Sequence, residues 1–270
     1  WSSDVCSSDL HAGDVQWMTA GSGILHKEFH EETFSKKGGV LHGAQLWVNL
    51  PARHKNEKPA YQDIHSGDIP SVKLDEGEGC VRVIAGTHKD VKGPARTFTR
   101  IQILDVHASA GGKTTLELVS GDTAALLILK GTALVKDKVV REEDMIIFEK
   151  EGSLINIEAN NDLHCLLLSG EPINEPIAAY GPFVMNSMEE IEQAIQDYNS
   201  GLFETLKSPV TVKLSGRTLT PTPEILALPV MLGLAVLGML MLPKILIINQ
   251  CFQASSVAAS FETRLLSTKY

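Results

Sequence analysis

The feature that most constrains this chain is a long series of short β-rich runs separated by turns that contain glycine. The runs either alternate apolar and polar side chains or are continuously apolar, which is typical of half-buried and fully buried strands. They are Asp14–Met18, Ile24–Phe29, Gly43–Leu50, Cys80–Ala85, Ile101–His107, Thr114–Leu118, Ala124–Leu129, Thr132–Val135, Met145–Phe148, Leu154–Glu158 and Leu163–Ser169. Strands of this length at this spacing predict a β-barrel or a double-sheet sandwich.

One helix is predicted near the end of the series, over residues 187–200. Ser187 followed by Glu190 is a capping box, and Gly201 is a suitable residue to end the helix. A single apolar stripe is formed by Ile191, Ala194, Ile195 and Tyr198. We expect this helix to pack on a barrel face and assign it no chemistry.

Both ends of the chain differ in composition from the middle. Residues 1–10 are rich in Ser and Asp, show no periodicity and resemble a translated sequencing adapter, so we predict an assembly scar; a natural flexible leader is the alternative. Residues 207–270 are predicted to be a tail unrelated to the rest. Within it, residues 225–242 carry no charge and just reach the length of a membrane-spanning helix. A membrane anchor and a frameshifted tail both explain this segment, and we favour the second.

Charge and cysteine usage narrow the function classes. The net charge of −9 argues against direct nucleic-acid binding, which requires a basic surface. The four cysteines are widely separated and form no C-x-x-C, so neither a disulfide framework nor a zinc knuckle is expected. No secretory leader is recognisable at the start. We therefore expect a cytoplasmic protein, also nuclear if the source is eukaryotic.

The clearest chemical signal is the pair His26 and Glu28. On a strand, alternate residues share one face, so this imidazole and this carboxylate would point the same way. A mixed nitrogen and oxygen donor set suits Fe(II), Mn(II), Ni(II) or Cu(II) better than a thiolate metal centre does. Two ligands alone hold a metal weakly, so the pair by its spacing is a weak indication.

Three longer motifs strengthen this interpretation. Gly13–Glu28 (GDVQWMTAGSGILHKE), Gly43–Pro51 (GAQLWVNLP) and Gly181–Asn186 (GPFVMN) together resemble the hallmarks of the pirin family. The resemblance runs from about Gly13 to Phe203. It implies an all-β fold of two cupin (double-stranded β-helix) barrels, the first incomplete, plus one C-terminal helix.

The resemblance also divides the chain. Residues 11–70 are expected to be the remainder of an N-terminal metal-binding cupin, and residues 71–96 a linker or shared strand. Residues 97–206 are expected to form the C-terminal cupin with the helix at 187–200.

The resemblance to the family implies a metal-ligand set of three histidines and one glutamate. His26 and Glu28 match two of these positions, and Glu28 could also serve as the catalytic proton acceptor. The remaining two ligands come from an early H-x-H that has no counterpart in the 270 residues. We expect that motif upstream of His11 in the parent protein, and we expect this chain to be inactive without it. The implied metal is Fe(II), with other divalent transition metals as alternatives.

Further residues are candidates for outer-shell or substrate contacts. These are His42, Gln45, Trp17 and Trp47, while His30 could continue the ligand face; a core or strand-end role is the alternative for each. We predict surface positions for His54, His65, His88 and His107. His164 and Cys165 are adjacent and should face opposite sides of a strand, so a structural role is expected. Because the second unit contains no H-x-H or H-x-E, it is predicted to be the metal-free barrel.

The resemblance leaves two functions open. The parent would be a metal-dependent quercetin 2,3-dioxygenase acting on a flavonol-like molecule. Alternatively it would be an iron- and redox-sensitive transcriptional co-regulator, or an enzyme-binding protein, with a protein as its partner. We expect a monomer, with no direct nucleic-acid contact and with membrane association only if the segment at 225–242 is genuine.

Overall fold

The computed structural model of this protein describes residues 11–25, 36–38, 43–205, 247–249 and 264–267. Strands make up most of the regular secondary structure in these residues, as predicted. The N-terminal unit contributes β1 (Val15–Thr19), β2 (Ile24–Leu25), β3 (Gln45–Trp47) and β4 (Ala60–Ile64). Within it β1 pairs antiparallel with β4, so that Trp17 lies opposite Gln62.

Ten strands between residues 71 and 170 form one barrel of two facing sheets. They are β5 (Ser71–Lys73), β6 (Gly79–Ala85), β9 (Ile101–Ala108), β10 (Lys113–Glu117), β11 (Thr123–Lys130), β12 (Thr132–Val135), β13 (Lys138–Arg141), β14 (Asp144–Phe148), β15 (Leu154–Ala159) and β16 (Leu163–Gly170), while β7 (Thr87–His88) and β8 (Val91–Lys92) pair in a separate two-stranded sheet. One sheet has the order β10-β15-β12-β13, and the other runs β14-β11-β16-β9-β6-β5. We call this the second barrel.

The interior of the second barrel is apolar. Side chains from both sheets meet there, among them Leu104, Val106, Leu116, Leu126, Ile155 and Leu167, all fully buried. Because side chains alternate along a strand, the neighbours of these residues on β9 point to the opposite face of the same sheet. That outer face is the part of the second barrel that bears on function.

The outer face packs against the N-terminal unit. Ile101 and Ile103 of β9 join a second buried cluster with Ile64 and Ile69, and Val15, Trp17, Leu46 and Val48 pack against it. The two units therefore share an apolar interface, and the burial of these side chains is what holds them together. The all-β fold with a double-stranded β-helix is confirmed.

A hairpin and a helix follow the barrel. The hairpin consists of β17 (Ala178–Tyr180) and β18 (Phe183–Met185), and the helix is α1 (Met188–Asn199). Ser187 and Glu190 form the predicted capping box. At the other end Gly201 has φ +73°, and the amides of Gly201 and Leu202 bond back to Tyr198 and Asp197, which is a Schellman motif. Ile191 is the buried residue of the apolar stripe.

Three more short strands complete the described structure. β19 (Glu204–Thr205) pairs in parallel with β2, β20 (Ile247–Asn249) pairs with β3, and β21 (Arg264–Ser267) extends the larger sheet beside β14. No helix within the described residues is both long and apolar enough to cross a membrane. The apolar segment at 225–242 lies outside those residues.

Candidate functional site

The strand that leads to the predicted metal ligands pairs with a strand that follows α1 in the chain. β2 ends at Leu25, and His26, Glu28, His30 and His42 lie outside the described residues. β2 is paired by β19, with Glu204 opposite Ile24. Just before β2, the backbone at Gly23 has φ +119° and lies directly against the Phe203 ring, which leaves no space for a Cβ. The segment after α1 therefore positions the start of the predicted ligand strand.

The second and third family motifs meet at a buried lysine. The Nζ atom of Lys55, which is 6% exposed, donates hydrogen bonds to Oδ1 of Asn49 at 2.6 Å and to the carbonyl oxygen of Val184 at 3.1 Å. Burial lowers the pKa of Lys55, while the charges of Glu190 and Glu175 oppose this shift. The Asn49 side chain of the second motif and the Val184 carbonyl of the third motif are thus joined by one buried lysine.

A second contact reinforces this junction. Oε2 of Glu175 accepts hydrogen bonds from the backbone amide of Ala52 at 2.6 Å and from Nδ2 of Asn186 at 3.1 Å. The Asn186 amide nitrogen in turn donates to Glu190 in the first turn of α1. The segment 175–190 is therefore fixed to the N-terminal unit by charge-assisted hydrogen bonds, which are stronger than neutral ones.

The predicted substrate-contact residues fall on different surfaces. Trp17 packs against the apolar interface between the two units. On β3, Leu46 also packs against that interface, so Gln45 and Trp47, which alternate with it, point the other way. Both are partly buried.

A cluster of three metal-ligand residue types lies on the outer face of the second barrel. Asp105 and His107 are two residues apart on β9 and therefore share one face of the sheet. His164 lies opposite His107 on β16. Nε2 of His164 is 2.8 Å from Oδ1 of Asp105, and Nε2 of His107 is 3.1 Å from the same oxygen. The two imidazole rings are stacked, with centroids 4.2 Å apart. Among the described residues this is the one group of three such side chains able to hold a metal ion.

Arg82 connects this cluster to the N-terminal unit. It lies opposite Asp105 on β6, and its Nη1 donates to Oδ2 of Asp105 at 2.6 Å. Its Nη2 donates to the carbonyl oxygen of Gly13 and to Oγ of Ser66. Gly13 begins the first family motif, so the motif is tied to the second barrel by this arginine.

Electrostatics keep Asp105 ionised. Its burial opposes the charged form, but the hydrogen bonds and charges of His107 and His164 outweigh that cost and hold its pKa well below the usual range. The two histidines are partly open to solvent, with His107 44% and His164 23% exposed. The cluster is therefore an anionic oxygen flanked by two accessible imidazoles.

The structure corrects several expectations about histidines. His107 is partly exposed, but it belongs to this cluster and is not an isolated surface residue. His164 does face away from the buried Cys165, as predicted, and its partners come from the neighbouring strand β9. His88 was predicted at the surface and this is wrong, because it is 1% exposed. The signal that could have revealed the cluster is D-x-H on a predicted strand, which has the same spacing as the H-x-E.

Family models match two parts of the chain. The model described as Pirin matches residues 3–48, and the model described as Pirin C-terminal cupin domain matches residues 103–204. The first match contains His26 and Glu28, and the second contains Asp105, His107 and His164.

Individual relatives agree with these matches. A Pseudomonas aeruginosa protein named "Putative quercetin 2,3-dioxygenase PA2418" is 49% identical over 191 residues, which are 71% of this chain and 67% of that protein. Pirin-1 of Arabidopsis thaliana is 38% identical, covering 71% of this chain and 66% of its own length. The crystal structure of quercetin 2,3-dioxygenase from Acinetobacter baumannii superposes with a TM-score of 0.66 at 41% identity, covering 72% and 68% of the two chains. The chain therefore belongs to the pirin family of cupin proteins.

Proposed function

We propose that the parent protein is a metal-dependent oxygenase of the quercetin 2,3-dioxygenase type. The observation that carries the proposal is the H-x-E of His26 and Glu28 in a chain 49% identical to the Pseudomonas aeruginosa relative and 41% identical to the Acinetobacter baumannii enzyme. An imidazole and a carboxylate are a donor set that fits Fe(II), our proposed metal.

Several residues of this chain would have different roles at that site. The metal, when bound, supplies the Lewis-acid and redox chemistry that a dioxygenase requires. We assign to Glu28 the acceptance of the proton from the flavonol 3-hydroxyl, since a carboxylate near that hydroxyl has suitable basicity. Trp47 is our candidate for contact with the flat flavonol, because Trp17 is already committed to the interface between the two units. His42 and Gln45 are the proposed outer-shell donors.

The 270-residue chain by itself supplies two of the four ligands of the family and contains no H-x-H. We propose that it holds Fe(II) weakly at His26 and Glu28 and does not turn over quercetin. We propose that a parent protein that includes the H-x-H binds Fe(II) more tightly and turns over quercetin. The comparison between the two proteins separates the contribution of the missing ligands from that of the rest of the fold.

The test is quercetin consumption together with O2 uptake by the full-length parent after Fe(II) loading. We expect turnover in the parent, a large loss in Glu28→Gln and in His26→Ala, and little change in Lys27→Ala, the matched control on the same predicted strand, whose side chain is expected on the opposite face. A parent that retains a full equivalent of iron but consumes neither quercetin nor O2 contradicts the enzyme proposal.

That same outcome supports the second candidate, a metal-responsive binding protein. The net charge of −9 favours a basic protein surface as its partner over nucleic acid. The decisive measurement is a stoichiometric complex that forms with the iron-loaded parent and dissociates when the iron is removed. Turnover without any such complex would leave the enzyme as the single function of the site.

A further inference from the structure

We propose that Asp105, His107 and His164 form a second divalent transition-metal site, on the outer face of the second barrel. This site uses neither His26 nor Glu28, and it does not depend on the proposed oxygenase function. The donor set of two imidazoles and one carboxylate suits a borderline divalent ion of the class that includes Zn(II) and Co(II).

The first support is the convergence of the three side chains. Both Nε2 atoms lie within hydrogen-bond distance of the single oxygen Oδ1 of Asp105, and all three ligand atoms lie within 4.8 Å of one another. Ligands of a tetrahedral ion with bonds of about 2.0–2.2 Å lie roughly 3.4 Å apart. The observed separations of 2.8 and 3.1 Å need to open by only a few tenths of an ångström to admit an ion.

The second support is the fixed orientation of the carboxylate. Arg82 holds Oδ2 of Asp105 at 2.6 Å and is itself held by Gly13 and Ser66 of the N-terminal unit. The other oxygen, Oδ1, is thereby directed at the two histidines. Ligating carboxylates in metal sites are usually hydrogen-bonded in this way, and such outer partners raise metal affinity.

The third support is the arrangement and accessibility of the two rings. The imidazoles of His107 and His164 are stacked with centroids 4.2 Å apart, and both present Nε2 to the same oxygen of Asp105. The partial exposure of both histidines provides an entry path and leaves a coordination position for water.

One cysteine is a neighbour of the cluster in the sheet. Cys80 lies opposite His107 in the β6–β9 register, on the same face of the sheet, and is a partly buried free cysteine. It is outside the group of three ligands, so we assign the fourth position to water. A Co(II) spectrum decides this point, because thiolate ligation adds an intense charge-transfer band that a nitrogen and oxygen shell lacks.

The test titrates the metal-free 270-residue chain with Zn(II) by calorimetry and with Co(II) by visible absorption. We expect one equivalent bound in the micromolar range, weakened about tenfold or more in His107→Ala and in His164→Ala. His65→Ala removes an exposed histidine outside the cluster and should leave the affinity unchanged. His26→Ala and Glu28→Ala should also leave it unchanged, and this locates the metal away from the family motif.

Three outcomes overturn the proposal. They are Zn(II) binding that persists in the double variant His107→Ala/His164→Ala, Zn(II) binding that is lost in His26→Ala, and no Zn(II) binding to the unaltered chain. If an alanine variant fails to fold, X-ray absorption at the zinc edge of the unaltered Zn-loaded chain decides instead. A shell of two imidazoles with oxygen ligands supports the site. A shell with one imidazole or none rejects it.

Discussion

Nζ of Lys55 lies 2.6 Å from Oδ1 of Asn49, and both side chains are buried. The same ammonium group bonds to the carbonyl oxygen of Val184, more than a hundred residues further along the chain. One buried cation therefore satisfies acceptors from the second and third family motifs at once. The junction therefore joins the second and third family motifs through one side chain.

Replacement of Lys55 by methionine should destabilise the protein. The apolar stem is kept, but the acceptors at Asn49 and Val184 lose their donor and remain buried. Unpaired buried acceptors cost about 1–3 kcal/mol, so we expect a decrease of this size in the free energy of unfolding by urea. Lys58→Met, at an exposed lysine three residues away, is the matched control. Equal stability of the two variants would show that the junction contributes nothing.

A substitution at the contact between Gly23 and Phe203 should destabilise the protein by a similar amount. A Cβ at Gly23 would lie 2.7 Å from the Phe203 ring, at a backbone φ of +119° that only glycine adopts easily. Gly23→Ala should therefore cost about 1–3 kcal/mol. In the full-length parent it should also lower iron occupancy, because β2 leads directly to His26. Gly67→Ala, where a Cβ meets no atom within 4 Å, is the control, and equal losses in both variants would contradict this explanation.

The capping box of α1 has a smaller and more local effect. The side chain of Ser187 accepts from the backbone of Glu190, and the carboxylate of Glu190 accepts from the Ser187 amide. Ser187→Ala should lower the melting temperature through a loss of about 1 kcal/mol. Glu190→Gln preserves the reciprocal bonds and should behave nearly as the original. A larger loss in Glu190→Gln than in Ser187→Ala would mean that charge at this end matters more than capping.

The sequence predicted the second barrel well, because its signals are local. Alternating runs bounded by glycine turns fixed strands such as Ile101–Ala108 and Leu163–Gly170 to within one or two residues. The capping box likewise fixed the start of α1. Short strands such as β4 (AYQDI) and β13 (KVVR) were missed, because each is short and contains charged residues that weaken its apolar pattern.

The candidate cluster shows where sequence reasoning stops. Asp105 and His164 are 59 residues apart, and they meet because β16 pairs with β9 in one particular register. Register depends on the packing of whole strands and cannot be derived from either segment alone. The buried Lys55 is a similar case, since its acceptor Val184 comes from a distant hairpin.

His88 is a buried residue with a titratable side chain. Its side chain is 1% exposed, and neither ring nitrogen has a hydrogen-bond partner among the described residues. Burial lowers its pKa, and Lys89 lowers it further, while Glu117 and Asp75 oppose the shift. The ring is therefore neutral in the folded protein at pH values at which an unfolded chain already begins to protonate.

The sign of the resulting pH dependence follows directly. Below the ordinary histidine pKa of 6.5, the unfolded state takes up a proton at His88 that the folded state does not, so stability falls with decreasing pH. The slope approaches at most about 1.4 kcal/mol per pH unit. His88→Leu removes this contribution, and it should equal or exceed the original in stability at pH 7, because two unpaired polar atoms are lost. Urea unfolding from pH 8 to pH 5 measures the difference, with Thr87→Val on the same strand as a control without a titrating group. Parallel pH profiles for His88→Leu and the unaltered chain would disprove this role.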